Sequence, residues 1–483
     1  MPEILKRRLT LPVALLLCLA ATWSVRNHPF FWDTVQLASK HAHFFYENNF
    51  ASLLLPEEID SGHPPVFGMY LAAVWTIFGK SLPASHFAML PFLFGIVFFL
   101  YKIGEKLSAN IGGHWLLLPC FADPVLAGQG VLVSPDLALV FFFLMGLWAV
   151  WERKKGWLVL SVTGLGLLSM RGMMTGLGLY LFSLFTEEKI DVKSALRRLL
   201  PFLPGGLIAG GWLFYHWHAT GWIGYHEQSA WAPSFERVGW QGFIKNMAVL
   251  GWRMLDYGRL TLWALLAISV VFFIKNSGRW LPAFDRKNMG WQLAALFIIM
   301  VMVLVPSQLL HKGLLAHRYL LPIFLALNLF VFHLIAGRQG NQRSKRACIV
   351  ALSFGLALGN YWIYPKKISQ GWDSTLAHLP WYSLIADAEA HLLENDIPYH
   401  QVGTAFPNIG PRENFYLNGI EEGFERKDLS TQCYILYSNI MNDFTDEELD
   451  ELDSPRWAVV FRQDRGGVCV ILYKNKTKEG CEN

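Results

Sequence analysis

The chain has 483 residues, 53% of them hydrophobic and 16% charged, with a formal net charge of +4 and a mean hydropathy of +0.31. Soluble domains carry about 25% charged residues, so this composition excludes an ordinary soluble protein. The small net charge offers no electrostatic footprint for nucleic acid. Charges are sparse up to about Trp362 and dense afterwards, which divides the chain into a membrane part, 1–364, and a soluble tail, 365–483.

In chain order, the start "MPEILKRRLTLPVALLLCLAATWSV" has the basic and apolar regions of a signal peptide. The many apolar runs that follow favour a retained first span, and either way the next residues are exported. A spanning helix needs about 20 apolar residues, or somewhat fewer at the short end. Lys and Arg in short loops favour the cytoplasmic side. The basic clusters fall at Lys6–Arg8, Tyr101–Lys106, Glu152–Gly156, Lys193–Arg198, Lys275–Lys287 and Gly337–Arg346. Placing all six inside predicts about eleven spans. They are 9–25, 86–101, 114–132, 136–151, two short spans within 157–185, 199–218, 259–275, 291–310, 318–336 and 347–364. The amino terminus is then inside and the carboxyl terminus outside. The run 66–78 would break this parity by crossing, so it reads as a helix on the outer face.

This topology puts an unusual set of polar residues on one outer rim: Asp33 and His63 in the first outer loop (26–85), Asp136, Arg171, His311, Lys312, His317 and Arg318. The outer loop 219–258 adds Trp222, Trp231, Trp240 and Trp252. Each has a plain reading: aspartates cap helices, long cations snorkel, and tryptophans form interfacial belts. His41 and His43 read as solvated loop residues. Carboxylates and guanidinium groups gathered on one face are harder to dismiss, because ionisable groups at membrane depth are costly and tend to be functional.

The tail reads as a small exported α/β domain. An amphipathic helix in "WYSLIADAEAHLLENDIPYHQVGTAF" runs into a strand at about Pro398–Ala405, and "CYILYS" is a second strand. Thr445 with Glu448 makes a capping box, and "RWAVVFRQDRGGVCVILYK" a hairpin turning at Asp464–Gly467. The acidic run Asp443–Asp453 reads as a solvated face. Cys433, Cys469 and Cys481 allow one disulfide and one free thiol. No CxxC suggests a zinc or redox site. The tail carries no nucleophile motif, which fits an accessory role.

The ordered motifs resemble the polyprenyl-phosphate-sugar-dependent glycosyltransferases of the GT-C fold, in the branch of the aminoarabinose transferases and protein O-mannosyltransferases. "FFWDTVQLA" is similar to the family's first-loop aspartate, although Thr34 stands where a second acid is common. "HPPVFGMYLAAVWTIFGKS" resembles its (H/K)PPL-x-Y helix, and "SPDLALVFFFLMGLWAV" its aspartate-led aromatic span. Arg171-Gly172 stands in place of Lys-Gly. "HRYLLPIFLAL" resembles the family's Arg-Tyr span start, with Pro322 earlier than usual.

The resemblance implies transfer of a sugar from a polyprenyl-phosphate donor to a lipid, glycan or protein acceptor on the outer face of a membrane, here a bacterial inner membrane. Asp33 would be the base. Arg171 and Arg318 would receive the leaving phosphate, whose oxygens a guanidinium matches. Asp136 would be an organiser, His63 would position the first-loop helix, and Tyr319 would position the phosphate. One displacement implies inversion, with no metal or cofactor required. A lipid-linked sugar transporter and a non-catalytic scaffold of the same fold are the rival readings.

Overall fold

The apolar runs form helices throughout the membrane part, and the computed structural model describes residues 3–108, 111–187, 191–227, 229, 232–277 and 284–478. Trp231 and Cys481 lie outside the described residues. Among these residues three helical stretches are each long and apolar enough to cross a membrane: Leu82–Leu107, Met289–Leu310 and His317–Gly337. Pro124–Gly130 and Pro135–Trp151 pass only as a pair, bent by 118°. Further apolar helices, among them Lys155–Leu168 and Leu260–Val271, are shorter. The chain is therefore a helical membrane protein with a small C-terminal sheet.

Two breaks position functional side chains. The run 157–185 divides into Lys155–Leu168 and Met170–Phe185. Ser169 between them is extended, and its side chain accepts from Gly172 N, which satisfies an orphan donor of the second helix. Arg171 thereby stands in the first turn of that helix. Gly172 lets the pair close, since a Cβ there would lie 2.0 Å from Leu165 O. At the second break Ser134 is the N-cap of Pro135–Trp151, so Asp136 is not spent on capping and its carboxylate is free for other partners.

The helix Val66–Phe78 packs on His41–Glu47 and buries Leu71 and Trp75. This packing corrects the reading of His41 and His43, which are buried rather than solvated. His43 Nε2 is 3.1 Å from Glu413 of the tail, and Lys80 Nζ is 2.5 Å from the same carboxylate oxygen.

The tail holds a six-stranded sheet: β1 (Val402–Thr404), β2 (Gly410–Pro411), β3 (Gly423–Arg426), β4 (Tyr434–Ser438), β5 (Trp457–Arg465) and β6 (Val468–Asn475), in the order β2-β3-β1-β4-β6-β5. Central β1 runs parallel to both β3 and β4, and β5 and β6 form the expected hairpin. Thr445 and Glu448 make the capping box. Cys433 is in a disulfide, whereas Cys469 is free. Three residues from far upstream join the tail's apolar core: Phe31, Trp32 and Leu132.

Candidate active site

The aromatic run before Asp33 is split between two cores. Phe30 packs into the membrane core, while Phe31 and Trp32 pack into that of the tail. Phe31 stacks on His378 at 4.8 Å, and Trp32 meets Phe406 edge-on at 5.3 Å. Thr34 closes the turn, its hydroxyl accepting from Phe31 N at 2.9 Å and donating to Phe31 O at 2.7 Å. Trp32 is held at φ +57°, a conformation that a bulky residue adopts only under strong outside constraint. The turn leaves Asp33 facing away from both cores. Val35–Lys40, which follows, is a π-helical turn, a rare geometry frequent at functional sites.

Asp33 meets Arg318, in the short turn His317–Leu320 that opens the helix Leu321–Gly337. Arg318 is buried and donates Nη2 to Asp33 and Nη1 to Asp373. Its Nε lies 3.3 Å from Asp136. The other oxygen of Asp136 accepts from Arg171 Nη1 at 2.6 Å. Tyr319 joins the two cations: Arg171 lies 4.0 Å over its ring, and Arg318 donates to its hydroxyl at 3.3 Å. The structure thus brings Asp33, Asp136, Arg171, Arg318 and Tyr319 into one cluster.

Sequence reasoning missed Asp373, which sits in "GWDST" at the start of the tail with no local pattern to mark it. Its main-chain oxygen accepts from Gln129 at 2.8 Å, and Gln129 in turn accepts from Ser134, the cap before Asp136. Burial pushes the Asp373 carboxyl above the usual range against the pull of Arg318, and nearby Asp33 and Asp136 add to the rise. The cluster holds one more carboxylate than guanidinium. Of the three, Asp33 is the open one: its side chain is 23% exposed, against 5% for Asp136 and 3% for Asp373.

A second buried network backs the first. Asp256 Oδ2 is 2.7 Å from His317 Nε2, and His317 Nδ1 accepts from Arg253 Nη1 at 2.6 Å. This leaves a neutral imidazole whose Nε2–H donates to Asp256. Tyr364 donates to the same carboxylate at 2.5 Å, and Arg259 bridges Asp256 and Asp123. His317 therefore anchors the turn that carries Arg318 and is not part of an exposed rim. Lys312 is exposed and pairs with Glu236 at 3.4 Å.

Asp33, Arg171, Arg318 and Tyr319 open into a cavity of about 1910 Å³ between the membrane helices and the tail. Lys40, Arg237, Lys245 and Arg253 also line it, and none has a carboxylate partner among the described residues. Burial lowers the Lys40 ammonium from its usual value. His63 lines the same cavity and, with Ser61, Asp136 and Arg171, a water-sized void beside it. Burial, then the charge of Arg171, holds His63 near 4 and hence neutral. Among the described residues no group of His, Cys, Asp and Glu has metal-ligating geometry.

Burial likewise holds His41 and His378 near 4, well below an unfolded value of about 6.5. Above that value neither state binds the proton. As pH falls from about 6.5 toward 4 the unfolded chain takes up protons that the folded one refuses, so stability is lost. At pH 5 the loss is roughly 1–2 kcal/mol per histidine. The unfolding midpoint in detergent is expected to be lower at pH 5 than at pH 7.5, and His378→Phe should shrink that difference. An equal difference in the variant would show that this buried ring is not linked to the loss.

No family model matches the chain, and no curated protein matches it in sequence. Its structure does match a solved one, ArnT from Cupriavidus metallidurans bound to undecaprenyl phosphate. The match covers 98% of each chain at a TM-score of 0.53 and 11% sequence identity. The GT-C fold that the ordered motifs led us to expect is therefore the fold of this chain.

Proposed function

We propose that the protein is a polyprenyl-phosphate-dependent membrane glycosyltransferase that acts on the outer face of a bacterial inner membrane. The observation that carries this reading is the open Asp33 carboxylate, held on Arg318 at a cavity large enough for a sugar, its lipid phosphate and an acceptor. The ArnT structure supports it, because that protein was solved with a polyprenyl phosphate bound. In this reading about eleven spans cross the bilayer, with the cavity and tail outside.

One oxygen of Asp33 accepts from Arg318 and the other has no partner among the described residues. That free oxygen takes the acceptor's proton as the hydroxyl or amine attacks the anomeric carbon, a contribution of about 10²–10⁴-fold. The bond to the phosphate oxygen breaks on the opposite face, with inversion. The leaving phosphate needs positive charge rather than a proton donor. Arg171 supplies it, since only one of its nitrogens is engaged by Asp136. Lys40, and Arg253 through the nitrogens not given to His317, stand in the same cavity to share that role. Arg318 has both terminal nitrogens on carboxylates, so it serves first to aim Asp33 and reaches the phosphate only by exchanging a partner. Asp136 and Asp373 hold the two guanidinium groups in place. Neutral His63, next to Arg171, adds polarity without competing charge.

The test is turnover of labelled polyprenyl-phosphate sugars by native-host membranes that hold or lack the protein. Label passing from one donor to a lipid, glycan or protein acceptor, only where the protein is present, is the expected result. Movement of intact donor across vesicles without consumption would overturn it in favour of a transporter. No consumption of any donor would favour a scaffold.

A further inference from the structure

The tail supplies one wall of the reaction cavity, and it does so with a particular part of its sheet. Phe406 follows β1, Arg426 ends β3, and Asp443 follows β4, and all three line the cavity. These are the carboxyl ends of the three mutually parallel strands. After β1 the chain passes to β3 on one side and then returns to β4 on the other, so β1 is the point where the strand order reverses. Open α/β sheets bind ligands in the crevice at such a point, outside the carboxyl ends of the strands. Here the crevice opens beside Trp32, which packs edge-on against Phe406 and directly precedes Asp33.

We propose that Trp32, Phe406, Arg426 and Asp443 form a saccharide subsite, which places a sugar ring of the donor or of a glycan acceptor against the tail and next to Asp33. The chemistry of the wall selects this ligand class. Arg426 and Asp443 are exposed in the cavity, and neither has a side-chain ion pair among the described residues. Together they carry no net charge, which suits a neutral polyhydroxyl compound better than an anion. Planar guanidinium and carboxylate groups each reach two neighbouring hydroxyls, one as donor and the other as acceptor. Half-buried Phe406 offers apolar surface to the C–H face of a sugar ring, and buried Trp32 backs it edge-on. Neighbouring Asn442 is already spent on the Gln370 backbone, at 2.9 and 3.3 Å, and so braces the wall rather than reading the ligand.

The inference rests on the glycosyltransferase reading and deepens it. The test compares purified full-length wild type with the double variant Arg426→Ala/Asp443→Ala, and separately with Phe406→Ala. The titrants are bare polyprenyl phosphate, sugar-bearing polyprenyl phosphate and soluble oligosaccharides from the native envelope. Both polar substitutions lie on exposed side chains, so the fold should survive, and unchanged affinity for bare polyprenyl phosphate would establish that it does. Affinity for a saccharide is expected to fall roughly tenfold or more in the double variant, as for loss of charge-assisted hydrogen bonds. A fall confined to the sugar-bearing lipid assigns the subsite to the donor, and a fall confined to the oligosaccharide assigns it to the acceptor. Equal saccharide affinity in wild type and both variants would overturn the subsite, and so would a wild type that holds bare polyprenyl phosphate but no saccharide. In the first case the transferase reading stands, since the donor still binds. In the second, the failure to hold a sugar-bearing lipid counts against that reading as well. A wild type that binds none of the three defeats both.

Discussion

Asp33→Asn is expected to cut sugar transfer by roughly 10²–10⁴-fold while leaving affinity for polyprenyl phosphate unchanged. Asparagine keeps a carbonyl oxygen for Arg318 and nearly the same volume, so the turn from Phe31 to Thr34 should persist and only the proton acceptor is lost. The comparison with the two other carboxylates sharpens the test. Asp136 and Asp373 are nearly closed to solvent, so their asparagine variants should act through the aim of the guanidinium groups. They should change turnover less than Asp33→Asn does. If Asp33→Asn consumes donor at the wild-type rate, Asp33 is not the base, and the scaffold or transporter readings move ahead.

Arg318→Met is expected to have the largest effect on stability of any single change in the cluster, about 3–5 kcal/mol. It leaves Asp33, Asp136 and Asp373 facing one another without the cation that all three approach. Arg318→Lys should recover part of the loss, because one ammonium restores charge but cannot fork between Asp33 and Asp373. Asp373→Asn should go the other way and cost little stability or none. It removes the surplus carboxylate, one that burial already disfavours in its charged form. Its cost should appear in turnover, as expected where a site is held in a less stable arrangement for function. Thermal unfolding of the detergent-solubilised variants ranks them, and a wild-type midpoint for Arg318→Met would show that the carboxylates need no common partner.

Much of this was legible in the sequence because it depends on short-range rules. Apolar runs marked the helices, and the capping box and hairpin of the tail are local patterns that held. Residues with an ordered motif around them, Asp33, Asp136, Arg171, Arg318 and Tyr319, did come together. His41 and His43 were misread because their burial depends on the helix Val66–Phe78 above them and on Glu413 of the tail, hundreds of residues away in the chain. The burial of His317 was not legible for a similar reason, since Asp256 and Arg253 reach it from another segment.

By itself, then, the sequence determined a helical membrane chain with an α/β tail and the identity of most charged groups at its candidate site. Only the tertiary structure decided that the tail belongs to that site. Phe31 and Trp32 bury themselves in the tail's core, and this seats Asp33 at the seam. Asp373 arrives from the tail to hold Arg318, and the ends of three parallel strands close the cavity. None of these partners is near its counterpart in sequence. They meet because burying apolar surface fixes how the two cores pack, and the charged groups left at their boundary must then find one another.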